Sequence, residues 1–192
     1  YALSHSNNIV AVKTLIDVGI ENVISLAAKC RISGPFFAYP SLALGCVDTT
    51  LKEGAGMFNI FANDGVYVEP HTLVWVKDRW GKKIFKQTVD KERVLPSIVT
   101  NKVTKVLRLG VERARTWYSQ QQWIDGEAIS KTGTTNDSRT CWYIGSTPHI
   151  TTAIYIGCDD NQSLGQSIYP IRTAFPIWLA FNRAIPCMIK TF

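Results

Sequence analysis

"ISKTGTTNDSRTCWYIGSTP", Ile129 to Pro148, decides how the rest of the chain is read. A β-branched opening runs into a lysine, a threonine and a glycine, adds two more threonines, and then turns through Asn136-Asp137-Ser138. "RTCWYIGS" follows that triplet and is again strand-like, so the spacing predicts two strands joined by a tight turn. Acyl transfer needs a cation to hold negative charge and N–H donors around a developing oxyanion. Lys131, the hydroxyls of Thr132 and Thr134, and an exposed strand N–H supply those groups. Gly133 has no side chain to keep a substrate away from the strand. Taken alone, Lys-Thr-Gly is a weak motif, because an ordinary strand-end turn has the same composition.

The pattern continues on both sides. "ITTAIYIGC" predicts a third strand after the Thr147-Pro148-His149 turn, and "AFPIWLAFNRAI" predicts a terminal helix lying on the sheet. Upstream, "NIVAVKTLIDVG" has helical spacing, capping residues between Ser4 and Asn8, and Gly19 as its stop. "IENVISLAAKC" predicts a second helix ended at Ser33-Gly34-Pro35. Thr50 and Glu53 form a capping-box signal that opens "LKEGAGMFNIFAN". "HTLVWVKD" and "GKKIFKQ" flank Arg79-Trp80 as a hairpin, and "LPSIVTNKVTKVLRLGVER" predicts a long helix with Pro96 in its first turn. Helices, an antiparallel meander and a closing helix make an α+β fold, an antiparallel sheet with helices packed on its faces.

With 192 residues, 46% of them hydrophobic and 19% charged, the chain suits one globular domain or a large part of one. Its net charge of +6 is scattered, without the basic run that nucleic-acid binding requires, so no nucleic-acid partner is assigned. Five cysteines (Cys30, Cys46, Cys141, Cys158, Cys187) form no CxxC pair and read as small buried hydrophobes. His5, His71 and His149 have no metal-ligand spacing, and Asp159-Asp160 reads as a turn, so neither a metal nor a cofactor is assigned. Arg139, just past the strand, reads as a solvated turn residue. The six tryptophans read as core and cleft wall. No stretch has the length of uninterrupted apolar sequence that crosses a bilayer. The chain opens at Tyr1, close to a helix start and without a signal peptide, and is read as a fragment.

Further segments join the motif. A Ser-x-Asn triplet, Ser6-Asn7-Asn8, opens the first helix, and Ser-x-Asn with Lys-Thr-Gly belongs to the signature of penicillin-binding proteins and serine β-lactamases. Together with "ALSHSNNIVAVKTLIDVG", "SLALGCVDTTLKEGAGMFNIFANDGVYVEP", "IYIGCDDNQSLG" and "FPIWLAF", the chain resembles the transpeptidase domain of class A (bifunctional) penicillin-binding proteins over nearly its whole length. The resemblance implies a D,D-transpeptidase that cross-links peptidoglycan stem peptides ending in D-Ala-D-Ala through a serine acyl-enzyme, with β-lactams as inhibitors. It also implies a location on the extracytoplasmic face of the bacterial cytoplasmic membrane, with the anchor outside this chain. In this frame Ser6 relays a proton and Asn8 holds the amide of the bound stem peptide. Lys131 tunes the charge beside Ser6. Thr132, Gly133, Thr134 and Thr135 form the substrate-binding strand, with Thr132 and Thr134 on the terminal carboxylate and the Thr134 N–H in the oxyanion hole. Ser4 offers a competing frame but lacks the asparagine.

The sequence departs from the family pattern in several places. No Ser-x-x-Lys occurs in the 192 residues. The nucleophilic serine is therefore expected on an N-terminal part of the same protein, and this chain alone is expected to be inactive. Ser130 replaces a glycine, Glu112 to Thr116 ("ERART") replaces a glycine-rich turn, and Cys46 stands at a serine, a packing position. Two rival expectations remain: a D,D-carboxypeptidase, which shares the motifs, and a non-catalytic β-lactam sensor or scaffold, which the missing Ser-x-x-Lys favours.

Overall fold

Strands β5 (Ile129–Thr134), β6 (Thr140–Ser146) and β7 (Thr151–Gly157) form an antiparallel meander in that order, in a computed structural model that describes residues 1–118, 123, 124 and 126–185. Lys131 lies opposite Ile144, Thr132 opposite Tyr143 and Gly133 opposite Trp142. Alternation therefore puts Ile129, Lys131 and Gly133 on one face of the sheet, with Ser130, Thr132 and Thr134 on the other.

Each face is covered by a helix. α5 (Ala174–Ala184) sets Phe175 and Trp178 against Tyr143 in the largest core cluster. Trp178 is fully buried, and its Nε1 donates to the Gly145 carbonyl at 3.3 Å. A Cβ on Gly145 would lie 2.8 Å from the indole, so only a glycine lets helix and strand come this close. On the opposite face, α3 (Leu51–Ala62) buries Phe58 with Ile129 and Ile144, and Asn59 Nδ2 donates to Thr151 Oγ1 at 2.8 Å. α4 (Ser97–Arg115) contributes Leu107 to the α3 side and Val111 and Ala114 to the α5 side. It therefore runs along the outer edge of β5, with Gly110 facing the Ser130 carbonyl.

The expected elements form close to their predicted bounds. α1 (Asn8–Val18) and α2 (Ile20–Lys29) meet at Gly19. The Thr50–Glu53 capping box is complete, and the Glu53 carboxylate also accepts from the Ser33 N–H and hydroxyl and from Thr49. These bonds, the Ser33 hydroxyl first, hold Glu53 down to about 2, against an ordinary 4.5. The predicted hairpin pairs β2 (Trp75–Lys77) with β3 (Lys83–Lys86).

Other features differ from the sequence reading. β1 (Val66–Val68) pairs with β4 (Lys91–Arg93), a ladder the sequence did not signal because each strand has only three residues. Trp75, Trp80 and Trp117 are exposed rather than core: the first two stand on a hairpin that pairs only with itself, and Trp117 follows the end of α4, where its neighbour Tyr118 turns inward onto Phe175. Cys30 and Cys141 are buried, but Cys46 and Cys158 lie in exposed loops, so Cys46 is not a packing position. Cys187 lies outside the described residues. Asp159 and Asp160 form the turn after β7. Arg139 is exposed and donates to the Asn161 carbonyl.

Trp178→Ala is expected to lower stability by about 3–5 kcal/mol, read by chemical denaturation. For Glu53, the depressed carboxyl contributes stability that is complete above its ordinary value and is lost as pH falls toward about 2. Glu53→Gln should cost about 1–2 kcal/mol at neutral pH and flatten that acid limb in a pH series of melting temperatures.

Candidate active site

The turn ahead of α1 carries Ser6. Asn7 is the N-cap, its side chain accepting from the Val10 N–H, and backbone bonds from Asn7 to Ala2 and from Ser6 to Leu3 close the turn. Ser6 itself takes a left-handed backbone (φ 51°). That conformation costs a non-glycine residue of order 1–2 kcal/mol, and such residues cluster at functional sites. Its effect here is to aim the Ser6 hydroxyl at β5.

Lys131 Nζ donates to Ser6 Oγ across a sequence separation of 125 residues, and also to the Thr132 carbonyl at 2.9 Å. The structure thus brings the serine of one motif to the lysine of the other. Ser4, the competing serine, is turned away: its hydroxyl donates to the Tyr1 carbonyl and lies 3.1 Å from His5 Nδ1. Lys131 is half-buried and has no carboxylate partner among the described residues. Burial draws its ammonium below the usual lysine value, and the Arg113 guanidinium on α4 adds to that. Sequence reading did not identify Arg113 as a neighbour of Lys131. Only the packing of α4 along β5 brings the two cations close.

Strand β5 goes from buried to exposed along its length. Ile129 and Ser130 are buried, Lys131, Thr132 and Gly133 are partly covered, and Thr134 is exposed. β5 is the outer strand of the sheet, and α4 covers its edge at Ser130, so the edge opens where Lys-Thr-Gly begins. The hydroxyls of Thr132 and Thr134 have no hydrogen bond within the protein among the described residues, which leaves both available to a ligand. A Cβ on Gly133 would lie 3.3 Å from Trp142 Cβ, so the glycine relieves cross-strand crowding as well as leaving the strand open. Thr135 is placed differently: its Oγ1 accepts from the Thr140 N–H at 2.8 Å and closes the β5–β6 turn. Asn8 is exposed at the first turn of α1, its side chain without a protein partner among the described residues.

Ser130 is satisfied despite burial, because the Tyr143 hydroxyl donates to its Oγ at 2.8 Å. That bond gives the residue a structural reason to differ from glycine. Chemically, Ser6, Lys131 and the two threonines can present a hydroxyl held by a cation beside a strand edge lined with hydroxyls. That is an arrangement for an anion and a proton transfer. The described residues contain no cluster of His, Cys, Asp and Glu suited to a metal.

Comparison with known proteins gives concordant results. Residues 11–169 match the family model described as penicillin binding protein transpeptidase domain. Penicillin-binding protein 1A of Aquifex aeolicus is 32% identical over 188 residues, an alignment covering 98% of this chain and 26% of that protein. Penicillin-binding protein 1A of Rickettsia conorii is 29% identical over 203 residues, covering 93% and 25%. The chain thus spans about a quarter of the length of these curated relatives. Among solved structures, penicillin-binding protein 1A from Haemophilus influenzae has a TM-score of 0.87 at 22% identity, covering 100% of this chain and 34% of that one. PonA1 from Mycobacterium tuberculosis, in complex with penicillin V, has a TM-score of 0.83 at 20% identity, covering 100% and 57%. These structural likenesses bear on the fold, which is the expected α+β arrangement.

Asn7→Ala removes the cap that holds the Ser6 turn. It should cost about 1 kcal/mol in denaturation experiments. The amides of residues 6–10 should also exchange faster with deuterium, while those of β6 stay protected.

Proposed function

Because the chain belongs to the penicillin-binding protein transpeptidase domain family, we propose that it forms the C-terminal part of a peptidoglycan D,D-transpeptidase acting through a serine acyl-enzyme. The observation that carries this reading is the donation from Lys131 Nζ to Ser6 Oγ beside the open edge of β5. With its oxygen accepting from Lys131, Ser6 keeps its own O–H free to donate to the nitrogen leaving the D-Ala-D-Ala amide. Thr132 and Thr134 hold the terminal carboxylate, the Thr134 N–H faces the developing oxyanion, and Asn8 holds the stem-peptide amide. Gly133 keeps the strand approachable. Thr135 acts through the turn it closes.

The nucleophilic serine and its lysine are supplied outside these 192 residues, by an N-terminal part of the same protein. Ile9, Val10, Ile16, Val18 and Leu26 leave α1 and α2 with exposed apolar surface for such a segment to cover. This chain without that segment is inactive in our reading. An amine of a neighbouring stem peptide resolves the acyl-enzyme, and β-lactams mimic D-Ala-D-Ala and trap it. The protein works at the extracytoplasmic face of the bacterial cytoplasmic membrane with its anchor elsewhere. Among the described residues no helix is long and apolar enough to cross a membrane.

The missing Ser-x-x-Lys favours a second reading, a non-catalytic sensor or scaffold. The full-length protein decides between them: labelled penicillin should acylate it stoichiometrically, and no adduct where a control enzyme reacts would reject the transpeptidase. A free tetrapeptide product in place of cross-linked dimer would make it a D,D-carboxypeptidase. Lys131→Ala should slow acylation by roughly a hundredfold or more. Since burial lowers the Lys131 ammonium, the rate should fall with rising pH on a limb below the ordinary lysine range. As pH rises the proton is lost, and with it the donor to Ser6.

A further inference from the structure

Between β1 and β4 the chain extends as the β2–β3 hairpin, whose strands pair only with each other and make no substantial packing against another described helix or strand. Two isolated strands are marginal in water by themselves. This hairpin is nevertheless tightly turned: Asp78 Oδ1 accepts from the N–H groups of Trp80 and Lys82, each at 2.9 Å, and the Asp78 N–H donates to the Lys82 carbonyl. The turn fixes Trp80 in solvent, 76% exposed, while Trp75 on β2 is 48% exposed.

Each indole has cations beside it. The Arg79 guanidinium lies 4.2 Å from the Trp80 ring centroid, and Lys77 Nζ lies 4.9 Å from that of Trp75 with Lys83 at 6.0 Å. From residue 73 to residue 87 the sequence has five cations (Lys77, Arg79, Lys82, Lys83, Lys86) and one carboxylate, Asp78, which the turn already uses. Leu73, Val74, Ile84 and Phe85 are also exposed along the two arms of the hairpin, but the turn between them carries Arg79 and Lys82 beside Trp80. Indole faces alternating with positive charge match a polymer of sugar rings that bears carboxylates.

We propose that the β2–β3 hairpin is a docking surface for the peptidoglycan glycan strand, its indoles stacking on sugar rings and its lysines and arginine taking the carboxylates of the attached stem peptides. The inference rests on the transpeptidase reading and extends it, since this surface uses none of the Ser6–Lys131 groups. It would hold a strand of the polymer while the site acts on its peptides.

The test uses the full-length protein and purified sacculi stripped of other covalently attached anionic polymers. Wild type should cosediment with the sacculi in a salt-sensitive way. Trp80→Ser/Lys82→Gln/Lys83→Gln should reduce binding by at least about fivefold and remove most of the salt dependence. The same variant should keep its rate of acylation by labelled penicillin, which shows that the fold and the site are intact. Unchanged sedimentation of the variant would overturn the proposal. So would protection of the Trp75 and Trp80 indoles from hydroxyl-radical labelling in the protein alone, which would mean that another part of the same protein covers the hairpin. Substitutions that abolish binding to phosphatidylglycerol vesicles but leave sacculus binding intact would overturn it in favour of a lipid surface. Failure of wild type to acylate rejects the transpeptidase reading instead, and the sedimentation result is separate from that outcome.

Discussion

A three-stranded sheet cannot bury its own two faces, and the contact at Gly145 is where this chain solves that problem most tightly. The indole of Trp178 occupies the space a side chain would take on β6, and its N–H adds a bond to the Gly145 carbonyl of that strand. With α5 seated there, Tyr143 is enclosed and its hydroxyl reaches inward to Ser130. That bond ties down the start of β5. α3 supports the opposite face through Phe58 and Ile144, and α4 closes the edge as far as Ser130. Only then does the strand come into the open, carrying Lys131, Thr132 and Thr134. The Lys-Thr-Gly segment is exposed because everything behind it is held in place.

The electrostatics follow the same order. A lysine half withdrawn from water, with a guanidinium nearby and no carboxylate partner among the described residues, is a positive charge met only by the Ser6 hydroxyl and the Thr132 carbonyl. It costs stability to keep one there, and the two hydrogen bonds offset part of that cost. The left-handed backbone at Ser6 is a second local cost on the other side of the same contact. Two locally unfavourable features thus meet at one hydrogen bond, a combination that clusters at functional sites in general.

Much of this was legible in the residues. The Thr50–Glu53 pair announced its helix, Asp78 to Gly81 announced a hairpin, and the alternation from Ile129 onward announced the meander, because each signal is local. Lys131 was legible from the residues of its own strand, whereas the role of Ser6 came through a resemblance. What stayed hidden depends on tertiary approach. Three-residue strands such as Val66–Val68 and Lys91–Arg93 are too short to show a period. Ser33 reaches Glu53 from twenty residues away, and Arg113 meets Lys131 only because one helix lies along one strand edge. Aromatic residues usually mark a core, so Trp75 and Trp80 misled; composition says nothing about which segment stands clear of the body. Thr135 read as a ligand group from its place in the run, but the turn required its hydroxyl.

The contact between Ser6 and Lys131 closes a loop of most of the chain. Contacts of that sequence separation form late, because the entropy of closing the loop is lost before any local element rewards it. Helices and the meander can assemble from neighbours, whereas the Ser6–Lys131 pair needs the turn ahead of α1 and strand β5 both in place. Chemistry that needs both groups therefore depends on long-range order, whatever local helix or strand content the chain has.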